Sequence, residues 1–190
     1  MTTNQPQTFK FATYNIRNHM DRYSERKEFL KQTIHQVKSD IMGLQEVAFL
    51  PGGQLHELVK DNDGNDIFEH HIKQIILWLK IKIPNFEEAN IIFCGDFNAT
   101  PIEECYRFVE ESGFKSTHYT VHSEEPEITF PTGLLAPNMD TDPANCLDYI
   151  WYRGNIKPLN CQIFGNKCLE TDPTIYPSDH MGLVSDFEIY

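Results

Sequence analysis

Asp96 and Asn98 stand two residues apart in Ile-Ile-Phe-Cys-Gly-Asp-Phe-Asn-Ala-Thr-Pro, residues 91–101. In an extended chain, residues i and i+2 point to the same side. A carboxylate and an amide are therefore aimed at one spot where an apolar run stops. Other apolar segments carry similar groups: Asn15 ends 8–14, Glu46 lies near the end of 40–47, and Asp148 sits inside Leu-Asp-Tyr-Ile-Trp-Tyr at 147–152. Asp179 and His180 lead into the last apolar run. Taken singly, an Asp or Asn at a strand end is an ordinary turn former. Asp148 differs, because a carboxylate inside an aromatic strand is expected to be buried and then needs a partner. His180 is the candidate: a carboxylate on one ring nitrogen fixes the imidazole tautomer and raises its basicity. Hard oxygen donors without a Cys/His cluster suit Mg2+ or Mn2+ better than zinc. Carboxylates, such a metal and an Asp-supported His make a site for phosphoester hydrolysis.

Strands and helices in alternation must position these groups. Residues 8–16 read as a strand, with Phe9, Phe11 and Thr13 alternating with Lys10, Ala12 and Tyr14. Residues 24–38 read as a helix with a buried stripe at Leu30, Ile34, Val37 and Ile41. A strand follows at 40–47, then a turn at 51–53 and a short helix at 54–60. The acidic stretch 61–66 has the composition of a calcium loop, but Gly64 is misplaced and no Glu closes it, so it reads as a solvated turn. Residues 67–83 form a helix burying Ile72, Ile75, Ile76, Leu79 and Ile83; His70 and His71 are adjacent on it and so do not share a face. Thr100, Pro101 and Glu103 read as N-cap, first position and capping-box partner of a helix over 101–112. Residues 115–145 read as a long irregular loop in which 127–130 alone is strand-like. Strands at 147–152 and 156–164 precede the last one.

The chain has 190 residues and a formal charge of −12, which argues against broad electrostatic binding to nucleic acid or anionic membrane. Its 5 cysteines are an odd number without C-x-x-C, as expected for ordinary thiols in a reducing, cytoplasmic compartment, the nucleus being the alternative. No apolar run approaches membrane-spanning length, and Met1–Thr8 is too polar for a signal peptide.

Five motifs occur in order: Thr-Tyr-Asn-Ile-Arg (13–17), Leu-Gln-Glu-Val (44–47), Gly-Asp-Phe-Asn-Ala-Thr-Pro (95–101), Leu-Asp-Tyr-Ile (147–150) and Ser-Asp-His (178–180). Together they resemble the endonuclease/exonuclease/phosphatase superfamily of DNase I-like, metal-dependent phosphohydrolases. Leu-Asp-Tyr-Ile-Trp-Tyr and Pro-Ser-Asp-His lean toward its deadenylase-like members. The resemblance implies an α/β fold of two packed, mainly antiparallel sheets flanked by helices, in one domain over 1–190. It implies Glu46 as main ligand of Mg2+ or Mn2+, with Asn15 beside it and Asp179 completing the metal or water network. It implies that Asp96 positions or deprotonates the attacking water and Asn98 holds the phosphate. His180, braced by Asp148, would stabilise the phosphoryl charge. The substrate would be a phosphoester: nucleic acid, nucleotide or phosphorylated lipid or inositol, bound by a monomer.

One departure bears on activity. The family places further strands between Glu46 and Asp96, one of them ending Asn-Thr-His-Leu, and this interval holds none. The domain is therefore expected to be shortened around 50–66, with one sheet incomplete. A second function class stands beside the hydrolase: a weak or inactive truncated relative that binds a metal or a partner.

Overall fold

The computed structural model describes residues 6–18, 21–47, 68–137, 139 and 142–190. The elements in order are β1 (Gln7–Asn15), α1 (Tyr23–Val37), β2 (Ile41–Gln45), α2 (Phe68–Lys82), β3 (Ile91–Asp96) and α3 (Glu104–Glu111). They continue with β4 (Lys115–Ser116), α4 (Thr117–His122), β5 (Asp148–Arg153), β6 (Ile156–Pro158), β7 (Gln162–Phe164) and β8 (Gly182–Ile189). One sheet has the order β2-β1-β8-β6, with β7 also paired to β8; the other is β3-β5-β4. Only the β1–β2 pair is parallel among these ladders. The architecture is two largely antiparallel sheets with flanking helices. No described helix is long and apolar enough to cross a membrane.

β1 departs from simple alternation. From Ala12 to Asn15 it is buried on both faces. It lies between β2 and β8 in its own sheet and against β3 and β5 of the other, so no face of its second half is left to water. Ile150, Tyr152, Leu183 and Phe187 form one core cluster with Phe9 and Phe11 against it. A second cluster joins Ile72 and Ile76 of α2 and Val109 of α3 to Phe97, Tyr149 and Trp151. Each such side chain, fully buried, contributes roughly 1.5–3 kcal/mol.

Several expected boundaries move. α1 buries Arg26, Leu30 and Thr33. Ile34 and Val37 are half-buried, and Ile41 opens β2 at 55% exposure. On α2, Ile75 is 39% exposed. The helix expected over 101–112 starts at Glu104. Glu103 does reach back to Thr100, accepting from its N at 2.5 Å and its Oγ1 at 2.8 Å, but this closes a turn ahead of the helix. The loop expected over 115–145 contains β4 and α4, while 127–130 contributes one isolated bridge, Phe130 with Asn145. The strand expected over 156–164 is two strands, β6 and β7, paired to different stretches of β8. The turn at 51–53, the helix at 54–60 and the turn at 61–66 lie outside the described residues.

This topology gathers chain ends. β1 and β2 run parallel and stop at Asn15 and Gln45. β3 stops at Asp96, opposite Asp148, where antiparallel β5 begins. β8 starts at Gly182 and runs antiparallel to β1, which places the approach to β8 through Asp179 and His180 at the same end.

Candidate active site

Asp148 is fully buried. Its Oδ2 lies 2.9 Å from His180 Nδ1, while Arg153, the other cation on the strand, pairs with Glu87 at 2.8 Å. The second ring nitrogen of His180, Nε2, faces Asp96 Oδ2 at 3.7 Å. The imidazole therefore lies between two carboxylates, buried and fixed by one of them.

Asn15 ties Asp96 to Glu46. Its Nδ2 donates to Asp96 Oδ2 at 3.1 Å and to Glu46 Oε1 at 3.2 Å. Its Oδ1 accepts from Arg17 N at 3.0 Å. Glu46 is exposed, and its Oε2 accepts from Asn18 Nδ2 at 3.2 Å. Asp96 Oδ1 accepts from the backbone N of Asn98 at 2.9 Å, which leaves the exposed amide of Asn98 beyond it. Three residues of these loops, Arg17, Glu46 and Asn98, have φ of 50°, 52° and 46°. Non-glycine residues in the left-handed region gather where a surrounding structure over-determines them, commonly at functional sites.

Asn15 and Asp179, the other two expected cation ligands, both lie beside this cluster. Asn15 turns its side-chain amide toward both carboxylates. Asp179 is fully buried and pairs with Arg17 Nη1 at 3.0 Å and Ser178 Oγ at 3.1 Å. Arg17 is itself held by Asp21 at 2.8 Å.

The electrostatics follow from burial first. Burial pushes the Asp96 carboxyl up to about 6; the charge of Asp148 adds to this and that of His180 opposes it. Burial alone would lower His180, but the Asp148 hydrogen bond and charge, with Asp96 and Asp179 behind them, hold it up at about 9. Burial raises Asp148 as well, against the bond from His180. Both shifts favour an imidazolium held by Asp148 and facing Asp96, whose carboxyl is kept above its ordinary value by burial.

A strap over the dyad, 129–132, overlaps the strand-like stretch 127–130 but was not legible as part of the site. Thr129 Oγ1 accepts from Leu147 N at 2.8 Å and Asp148 N at 3.1 Å, and its carbonyl accepts from Met181 N at 2.7 Å. The Phe130 ring lies 4.7 Å from the His180 ring. Thr132 N donates to Asp179 O at 2.6 Å and Thr132 Oγ1 to Ser178 O at 2.7 Å. The clue available was the strand-like stretch 127–130, cut short by Pro131.

Candidate donors for a cation are present in two groupings. Asp96, Asp148 and His180 bring one atom each within 4.8 Å of one another. In that set Asp148 Oδ2 is engaged by His180, while its Oδ1 is buried without a hydrogen-bond partner. Glu46 is the exposed carboxylate, with amide donors on both its oxygens and Asp96 across Asn15. An exposed hard-oxygen carboxylate of this kind suits a divalent cation of the Mg2+ or Mn2+ type.

A profile described as the Endonuclease/Exonuclease/phosphatase family matches residues 12–180. Over 107 residues the chain is 36% identical to Nocturnin of Xenopus laevis, covering 51% of the chain and 26% of that protein. The chain spans about a quarter of the length of the curated relatives it matches. Among solved structures, an endonuclease/exonuclease/phosphatase from Bacteroides vulgatus superposes with TM-score 0.69 at 15% identity, over 97% of this chain and 100% of that one. The human Nocturnin catalytic domain with bound sulfate anion gives 0.66 at 17% identity, over 97% and 98%. D. rerio TDP2 complexed with single strand DNA product gives 0.65 at 16% identity, over 95% and 99%. At these identities the structures speak for the fold.

Proposed function

The chain belongs to the endonuclease/exonuclease/phosphatase family, and on that premise we propose that it is a divalent-metal-dependent phosphoric ester hydrolase acting on a nucleic acid or a nucleotide. The observation that carries the reading is the buried Asp148–His180–Asp96 line, with Asn15 linking Asp96 to the open carboxylate of Glu46. The substrate class is supported by the Nocturnin similarity and by the DNA product held by TDP2, a structural neighbour. One domain over 1–190, a monomer and an intracellular place belong to the same reading, the last supported by an odd cysteine count without C-x-x-C.

Glu46 would hold the cation, Mg2+ or Mn2+, with Asn15 and Asn18 fixing its two oxygens. Bound there, a divalent cation supplies positive charge to the phosphoryl oxygens. Asp96, raised to about 6, takes the proton of the attacking water, since a general base works best with a pKa near the operating pH. His180 keeps its proton and stabilises charge that develops on the phosphoryl group. Asp148 orients His180 and maintains its charge. Asn98 donates to a phosphate oxygen from the loop. Asp179 acts one step back, through Arg17.

The test is turnover of bis-p-nitrophenyl phosphate with Mn2+, beside Asp96→Asn. Loss of a positioned general base typically costs about 10²–10⁴-fold, and a drop of that order is the expected result.

A second reading has its own observation. β2 and β3 are the outermost strands of their sheets among the described residues, and the Thr-His-Leu segment is missing from the sequence between Glu46 and Asp96. Losing one donor at a phosphoryl group costs roughly 10²–10³-fold. On this reading the chain binds the cation and turns over weakly or not at all. A folded wild type that binds Mn2+ yet matches Asp96→Asn in the assay favours it over the hydrolase.

A further inference from the structure

Arg26 of α1 is sealed from solvent at 0% exposure. A guanidinium taken out of water loses its hydration, and burial duly weighs against its charged form. An apolar side chain of similar volume would often fill such a place at lower cost. Packing is therefore not what this residue supplies.

Its donors go to main-chain oxygens on both sides of the site. Nε donates to Asp21 O at 3.0 Å. Nη1 donates to Ile16 O and to Pro177 O, each at 2.9 Å. Nη2 donates to Asn18 O at 3.0 Å and also to Arg17 O. One planar fork thus ties the exit of β1 to the segment that enters β8 through Asp179 and His180. The residues it holds are those that reach the functional carboxylates. Asn18 donates its N to Glu46 O at 3.0 Å and its Nδ2 to Glu46 Oε2 at 3.2 Å. Arg17 reaches Asp179 at 3.0 Å. Pro177 leads into Ser178, whose Oγ donates to Asn15 O at 2.7 Å. Arg17 and Glu46 both stand at left-handed φ, 50° and 52°, a backbone state that persists only when neighbours enforce it.

We propose that Arg26 is a positioning residue, fixing the cation-holding carboxylate Glu46 through Asn18 and the His180 segment through Pro177. The inference rests on the hydrolase reading above, because it assigns Arg26 to the site that reading defines. Lysine cannot replace it: the ammonium offers three donors on a flexible stem, against five in a rigid plane.

Mn2+ binding, followed by the electron paramagnetic resonance of the free ion, tests this without relying on turnover. Groups that orient a metal ligand typically change affinity by about 10–100-fold when removed. Arg26→Lys is expected to bind Mn2+ at least about tenfold more weakly than wild type. Leu30→Ala, one turn along the same helix and also buried, is expected to melt earlier yet bind Mn2+ like wild type. Equal affinity in Arg26→Lys and wild type, or an equal loss in Leu30→Ala, overturns the proposal. Should Arg26→Lys fail to fold, Arg26→Met, an apolar side chain of similar length, decides: a loss of about tenfold supports the proposal and unchanged affinity overturns it. A wild type that binds no Mn2+ removes the hydrolase reading and this inference together. A wild type that binds it beside an Arg26→Lys that binds equally well removes this inference alone.

Discussion

His180 and Asp96 face each other at 3.7 Å, and both bind protons more tightly than they do in an unfolded chain. His180 moves from an ordinary 6.5 to about 9, and Asp96 from 3.8 to about 6. A group that binds protons more tightly when folded makes stability fall as pH rises through the interval between its two values. The Asp96 contribution is complete below 3.8 and lost as pH rises through about 6. That of His180 is complete below 6.5 and lost as pH rises through about 9. With divalent cations chelated, the melting temperature should therefore decline from about pH 5 to about pH 9, Asp96 and His180 acting in succession and Asp148, also raised by burial, in the same direction. Asp148→Asn removes the bond that holds the His180 proton, so it should flatten the upper limb and bring the imidazole NMR titration down from about 9. A wild-type profile level between pH 7 and 9, or an imidazole that titrates alike in both proteins, would show that Asp148 does not set the charge of His180.

At the scale of elements, the strap 129–132 makes the clearest claim. Phe130 is buried and lies on the His180 ring, and Phe→Ala in a core costs about 3–5 kcal/mol. Urea unfolding of Phe130→Ala should show a loss near the lower figure, since the neighbouring hydrogen bonds of Thr129 and Thr132 remain. A loss below about 1 kcal/mol would mean that the strap follows the dyad instead of holding it. The strap also marks where sequence reading stopped. Asn15, Glu46, Asp96, Asp148 and His180 were legible because each interrupts or ends an apolar run, and strand ends converge in a layered sheet. Asn15 and Asp179 were legible as site neighbours, but not in which way they turn: Arg17 meets Asn15 and Asp21 locally, while its reach to Asp179 joins distant parts of the chain. Thr129, Phe130 and Thr132 lie where a strand-like stretch is cut short by Pro131, and their partners lie in 147–148 and 178–181. Arg26 was hidden for another reason. A helix stripe is read from apolar residues, and here two of the three buried positions are Arg26 and Thr33. The start of α3 slipped because Thr100 N and Oγ1 both donate to Glu103 inside a turn. Local chemistry was right there and the element boundary was not.

At the scale of the molecule, two surface properties oppose each other. The formal charge of −12 keeps copies apart. Yet β2 ends its sheet among the described residues, with Ile41 and Leu44 exposed at 55% and 40%. The outer face of α2 shows Trp78 at 57% and Ile81 at 79%. An unpaired strand edge carrying apolar side chains is a template for association, and large exposed apolar residues gathered on a helix add to it. Charge repulsion is long-ranged only at low ionic strength: the screening length is about 10 Å at 0.1 M and about 3 Å at 1 M. The two properties therefore exchange dominance with salt. Light scattering should report a monomer at about 0.05 M NaCl and growing association toward about 0.5 M, where repulsion between copies is screened. Leu44→Lys places a charge on the strand edge, the device natural sheets use against edge pairing, and should hold the protein monomeric across that range with its Mn2+ affinity intact. Ile81→Lys removes apolar surface from α2 and leaves the edge as it is. If Ile81→Lys suppresses association and Leu44→Lys does not, the helix face and not the strand edge is the adhesive surface. A wild type that stays monomeric at every salt concentration would mean that neither is.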